Sequence, residues 1–128
     1  MENKSGFEFN ENELEFYVIR RRPHERELVV AVNLTDGGYV YYTFLSGGKP
    51  KPNTEELLRS LINPEEKVII KKIENIEKYI DLNSPEENVH LVDMNNFNNR
   101  IICDRLIYSL KKHMAEEAKT EQQRKEYV

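Results

Sequence analysis

The chain has 128 residues, a third of them charged, with a formal net charge of −4. That length fits one domain with a modest core, and no apolar run approaches the roughly 20 residues of a membrane-spanning helix. A single cysteine, Cys103, excludes an internal disulfide framework and a cysteine-based zinc finger, so the expectation is a reducing, cytoplasmic setting.

The N-terminal stretch MENKSGFEFNEN is rich in Asn and Glu and lacks periodicity. It reads as a flexible arm over residues 1–12, without the basic start and apolar stretch of a secretory signal. A single α+β domain is expected over 13–114, followed by a polar helix end or tail over 115–128. Charge is unevenly spread: residues 1–17 carry −4, residues 18–52 carry +3 and residues 53–128 carry −3. Any contact with a polyanion must therefore come from the middle segment.

From Glu13 the pattern alternates, with Leu14, Phe16 and Val18 on one side and Tyr17, Ile19 and Arg21 on the other. This is the signature of a half-buried strand. Arg22-Pro23-His24-Glu25-Arg26 reads as a turn, because Pro23 fixes its own φ and pushes Arg22 away from helix. Arg20 is expected opposite Leu28. The next stretch, Glu27–Gly48, is a β-hairpin joined at Asp36-Gly37-Gly38. A three-residue loop with Gly38 in the left-handed position places Leu28, Val30, Val32 and Leu34 with Val40, Tyr42 and Phe44. Val29, Ala31 and Asn33 then share the opposite face with Tyr39, Tyr41 and Thr43. A two-residue loop would reverse the parity and exchange the tyrosines that meet the core.

Further on, Asn53 is placed to cap a helix, with Glu56 three residues later and Leu57, Leu58, Leu61 and Ile62 as its apolar residues. Asn63-Pro64 ends it. Lys67–Ile73 reads as a fourth strand, Asn75–Leu82 as a short helix, Asn83-Ser84-Pro85 as a turn, and Val89–Met94 as a fifth strand. The last segment, from about Asn98 to Arg124, is a long helix whose stripe is Ile102, Cys103, Leu106, Ile107, Leu110 and Met114. The resulting fold is α+β: a three-stranded antiparallel meander extended by one or two strands. It packs against a long C-terminal helix and one or two short helices.

Catalytic and metal signatures are thin. Gly37-Gly38 and Gly47-Gly48 lack the spacing of a phosphate loop. His24, His90 and His113 lie in separate elements, and His90 and Asp93 would face opposite sides of a strand. Cys103 sits inside the apolar helix stripe, where a small buried hydrophobe is the ordinary role. No catalytic residue, cofactor or metal is therefore expected. Two surfaces are left. Tyr17, Arg21, Tyr39 and Tyr41 share a sheet face, with Arg20, Arg22, Arg26, Lys49 and Lys51 available as a basic rim. Ile101 and Tyr108 lie on the reverse side of the C-terminal helix, as if for a partner. These surfaces point to a non-catalytic accessory or regulatory protein acting through a protein partner or self-association, for example as a homodimer. The alternative is a nucleic-acid-binding regulator using the tyrosine and arginine face.

Overall fold

The computed structural model describes residues 13–35, 37–79 and 88–126, with the backbone alone over 121–126. The expected N-terminal arm, the loop residue Asp36, the turn at Asn83-Ser84-Pro85 and the last two residues lie outside this description. Five strands form one antiparallel sheet: β1 (Glu15–Arg22), β2 (Glu25–Leu34), β3 (Gly38–Ser46), β4 (Val68–Ile73) and β5 (Val89–Leu91). Their spatial order is β4-β3-β2-β1-β5, so the meander is central and the two later strands extend its edges. Accompanying it are the helices α1 (Thr54–Ile62), α2 (Ile76–Tyr79) and the long α3 (Phe97–Glu126). The architecture is α+β, as the pattern of the sequence indicates.

The hairpin takes the three-residue loop. Leu34 pairs with Gly38, Val32 with Val40, Val30 with Tyr42 and Leu28 with Phe44. Gly37 closes the turn by donating its N–H to the Leu34 carbonyl at 3.1 Å. Gly37 has φ +89° and Gly38 φ +147°, values that side chains rarely tolerate, so the left-handed position falls at Gly37 with Gly38 opening the strand. In β1, Phe16 pairs with Val30 and Val18 with Leu28. The expected pairing of Arg20 with Leu28 is corrected by one pleat repeat: Arg20 pairs with Arg26. The reason is a tighter turn than expected. Only Pro23 and His24 lie between the strands, and the register shifts between Arg20 and Arg22. The slip is even, so the face assignment survives.

Even-numbered residues therefore build the main core. Phe16, Val18, Leu28, Val30, Val32, Tyr42 and Phe44 are buried beneath two helices. Leu57 and Leu61 come from α1; Ile102, Cys103, Leu106, Ile107, Leu110 and Met114 come from α3. Asn53 caps α1, its Oδ1 accepting the Glu56 N–H at 2.9 Å. Asn96 does the same for α3 through Asn99 at 3.1 Å. Arg105 ties the helices together by donating to the Ile62 carbonyl at 2.8 Å. After Met114, α3 continues roughly 18 Å along its axis. The sheet holds the start of this extension, with Tyr42 donating to Glu117 Oε1 at 2.7 Å and lying edge-on to His113 at 5.7 Å.

Two substitutions test this packing. Leu110→Ala, at a fully buried site, should cost about 2–5 kcal/mol in denaturant unfolding. Asn53→Ala should cost about 1 kcal/mol through loss of the cap.

Candidate functional site

The odd-numbered face of the sheet divides into two halves. Near the β1–β2 turn it is closed by α2, whose Ile76 and Tyr79 pack with Ile19, Val29 and Ile73. A four-residue helix has no independent stability, so it is held here by what it touches. Glu27 is the centre of that contact. Only 2 % exposed, its carboxylate accepts from Thr43 Oγ1 at 2.8 Å, from Arg21 Nη1 at 3.4 Å and from the Tyr79 hydroxyl. The Arg21 guanidinium also lies 4.0 Å from the Tyr79 ring centroid. A buried carboxylate costs several kcal/mol unless it is hydrogen-bonded and paired, and here both conditions are met. Burial and the bond to Glu27 push the Tyr79 phenol up to about 12.

Among the described residues, no helix covers the other half of the face. A cleft of about 410 Å³ has Ile19, Val29 and Ala31 as its floor. Tyr17 and Glu15 stand on one side, Tyr39 and Tyr41 on the other, and Ile76 and Val89 close its lower end. Pairing sets this arrangement: Glu15 lies opposite Ala31, and Ala31 opposite Tyr41, in one row across the strands. Tyr39 and Tyr41 lie nearly parallel, 22° between planes and 6.3 Å between centroids. Tyr39 is 62 % exposed, and Tyr17 and Tyr41 are half-buried. The Tyr17 hydroxyl donates to Glu15 Oε1 at 2.8 Å. Burial first, then that bond, pushes the Tyr17 phenol up to about 12.

The nine residues expected to form one interaction face do not come together. The tyrosines gather by the hairpin loop. Arg20, Arg22, Arg26, Lys49 and Lys51 lie by the β1–β2 turn and the segment after β3. Arg26 and Asn33, the partner of Tyr39, are roughly 23 Å apart along β2. Several of the basic groups are already engaged. Arg26 Nη1 donates to the Pro23 carbonyl at 3.1 Å and to those of Arg22 and Glu25. Its backbone forms a two-way bridge with Lys51, and Arg22 lies 3.8 Å from Glu25. Arg21 belongs to the Glu27 cluster.

On α3, Ile101 and Tyr108 are exposed as expected, at 46 % and 68 %, and Phe97 joins them at 75 %. At 100° per residue these three fall within about 40° of arc, opposite the core stripe. Lys112 lies 5.6 Å from the Tyr108 ring centroid.

Other candidate groups have structural surroundings. Cys103 is buried, and burial followed by the nearby Asp104 charge pushes its thiol up to about 12. It is therefore protonated at neutral pH, unlike a nucleophilic thiolate. Asp93 Oδ1 accepts from the Asn95 N–H at 2.9 Å in the turn before α3. Among the described residues no group of histidine, cysteine and carboxylate side chains could hold a metal, and no helix is long and apolar enough to cross a membrane.

No protein-family model, curated protein or solved structure matches the chain. Glu27 is the residue that sequence reasoning missed. Its signal was a charge on the odd face of β2, where Val29 and Ala31 are its apolar neighbours.

Removing that carboxylate by Glu27→Ala takes the acceptor from the Tyr79 hydroxyl and the ion-pair partner from Arg21, while Thr43 Oγ1 keeps the Leu28 carbonyl, and should cost about 2 kcal/mol in denaturant unfolding. Alkaline titration provides a second check. Tyr17 and Tyr79 have folded values raised from 10.0 to about 12, so their contribution is complete below pH 10. Stability should fall between pH 10 and 12, and ultraviolet titration should show these phenols ionising late.

Proposed function

We propose that the chain is a non-catalytic accessory or regulatory protein that works through protein contacts, with a second copy of itself as the partner. The observation that carries this reading is the outward stripe of α3, where Phe97, Ile101 and Tyr108 lie opposite a completely buried core stripe. Large apolar side chains clustered on one line of an otherwise charged helix mark a contact surface. The flanking charges favour self-recognition. Two α3 helices laid antiparallel, with the two-fold axis between Asp104 and Arg105, bring Ile101 against Tyr108 of the second copy. Asp104 then faces Arg105, and Phe97 faces Lys112. This pairing is self-complementary, as a two-fold interface requires. Arg105 uses Nη1 on the Ile62 carbonyl and keeps its other donors for such a contact.

Three large apolar residues per copy fall short of the roughly 1,200 Å² buried by standard interfaces, so the association is weak and concentration-dependent. Sedimentation equilibrium over a wide concentration range should show mass rising from monomer to dimer. Ile101→Glu and Tyr108→Glu should each hold the protein monomeric without loss of helical signal. A strict monomer at every concentration contradicts the proposal.

The alternative, a nucleic-acid-binding regulator, rests on the near-parallel exposed pair Tyr39 and Tyr41. It receives less support because the basic residues stand at the opposite end of the strands and Glu15 flanks the tyrosines. It requires binding to single strands at low salt that weakens steeply as salt rises and fails with Tyr41→Ala.

A further inference from the structure

The open cleft has a chemistry of its own, separate from the α3 stripe. Tyrosine side chains line its walls and its floor is aliphatic. Among the described residues, the charged one that lines it is a carboxylate, Glu15, which accepts from the Tyr17 hydroxyl at 2.8 Å. Tyr39 and Tyr41, 6.3 Å apart and nearly parallel, stand across the floor from Tyr17. The nearest arginine on this face, Arg21, is bound to Glu27 and Tyr79 beyond the Ile19 row, so it neither fills the cleft nor neutralises Glu15.

We propose that this cleft binds a small organic ammonium ion, with its alkylated nitrogen among the tyrosine rings. Aromatic faces carry negative potential and attract a cation placed over them. An alkylated ammonium suits such a site better than a metal ion or a primary amine. Its charge is spread over methyl groups, it is weakly hydrated, and its alkyl surface gains from the Val29 and Ala31 floor. Glu15 supplies the opposite charge at the rim. The same carboxylate repels phosphate and carboxylate ligands, which fixes the sign of the ligand. A volume of about 410 Å³ admits a trimethylammonium head with a short chain and lies within the range of ordinary small-molecule sites.

The test is an NMR titration of the full chain with choline. A parallel titration uses the uncharged analogue in which a tert-butyl group replaces the trimethylammonium. Choline should saturably shift resonances of Tyr17, Tyr39 and Tyr41 and bind at least about tenfold more tightly than the analogue. Glu15→Gln and Tyr39→Leu alter exposed side chains, so the fold should be retained, and each should weaken choline binding several-fold. Unchanged resonances of the α3 core residues verify that these variants are folded. Equal or tighter binding of the uncharged analogue overturns the proposal. So does the lack of saturable choline shifts, or wild-type affinity in both variants. Retention on phosphatidylcholine vesicles without saturable binding of free choline overturns the assignment to a free ligand.

Discussion

In the central strands Phe16 pairs with Val30, Val30 pairs with Tyr42, and the same even parity continues outward to Ile70 through Phe44. Because side chains alternate strictly along a strand, this pairing decides the fate of every residue in the sheet. Even positions meet α1 and α3 and form the main core. Odd positions face α2 and the cleft. The device that sets the parity is small: a three-residue loop ending at Gly37, which like Gly38 at the start of β3 adopts a positive φ. Without it, Tyr42 would leave the core and Tyr39 and Tyr41 would enter it. The bond from Tyr42 to Glu117, which anchors the start of the α3 extension, depends on the same parity.

A second constraint acts within the odd face. Glu27 is buried there with three hydrogen-bond donors, and those donors come from β1, β3 and α2. A satisfied carboxylate of this kind specifies position more than it adds stability. It fixes where α2 sits, and α2 in turn packs against one end of the row formed by Ile19, Val29 and Ile73, while among the described residues no helix covers the tyrosine end. The boundary between core and cleft on this face is thus drawn by one charged residue.

The hairpin, its parity, the Asn53 cap and the α3 stripe were legible in the sequence, because each rests on local chemistry or on a long periodic pattern. The β1–β2 register was misplaced by two residues, since Pro23 and His24 alone make the turn and the shift at Arg21 has no strong sequence mark. The fourth and fifth strands are shorter than expected, ending where edge pairing stops. The proposed basic rim was not legible, for a geometric reason. Tyrosines and arginines that look close in a list of one face are separated along the strand, and a strand is a ruler of about 3.3 Å per residue. Glu27 escaped notice because its partners, Arg21, Thr43 and Tyr79, come from three other elements.

Two surfaces carry the functional readings: the outward line of α3 and the tyrosine cleft. They lie on opposite sides of the sheet, so a contact through one leaves the other free. Both follow from the same parity, since the core stripe of α3 is used up by even residues and the cleft is built from odd ones. The most direct test of that parity is a nuclear Overhauser experiment on the tyrosine rings. The Tyr42 ring should show cross-peaks to His113 on α3, while the Tyr41 ring should show them to Ile73 and Val29 and none to α3. Cross-peaks from the Tyr41 ring to α3, with Tyr42 silent there, would contradict the register and with it both surfaces.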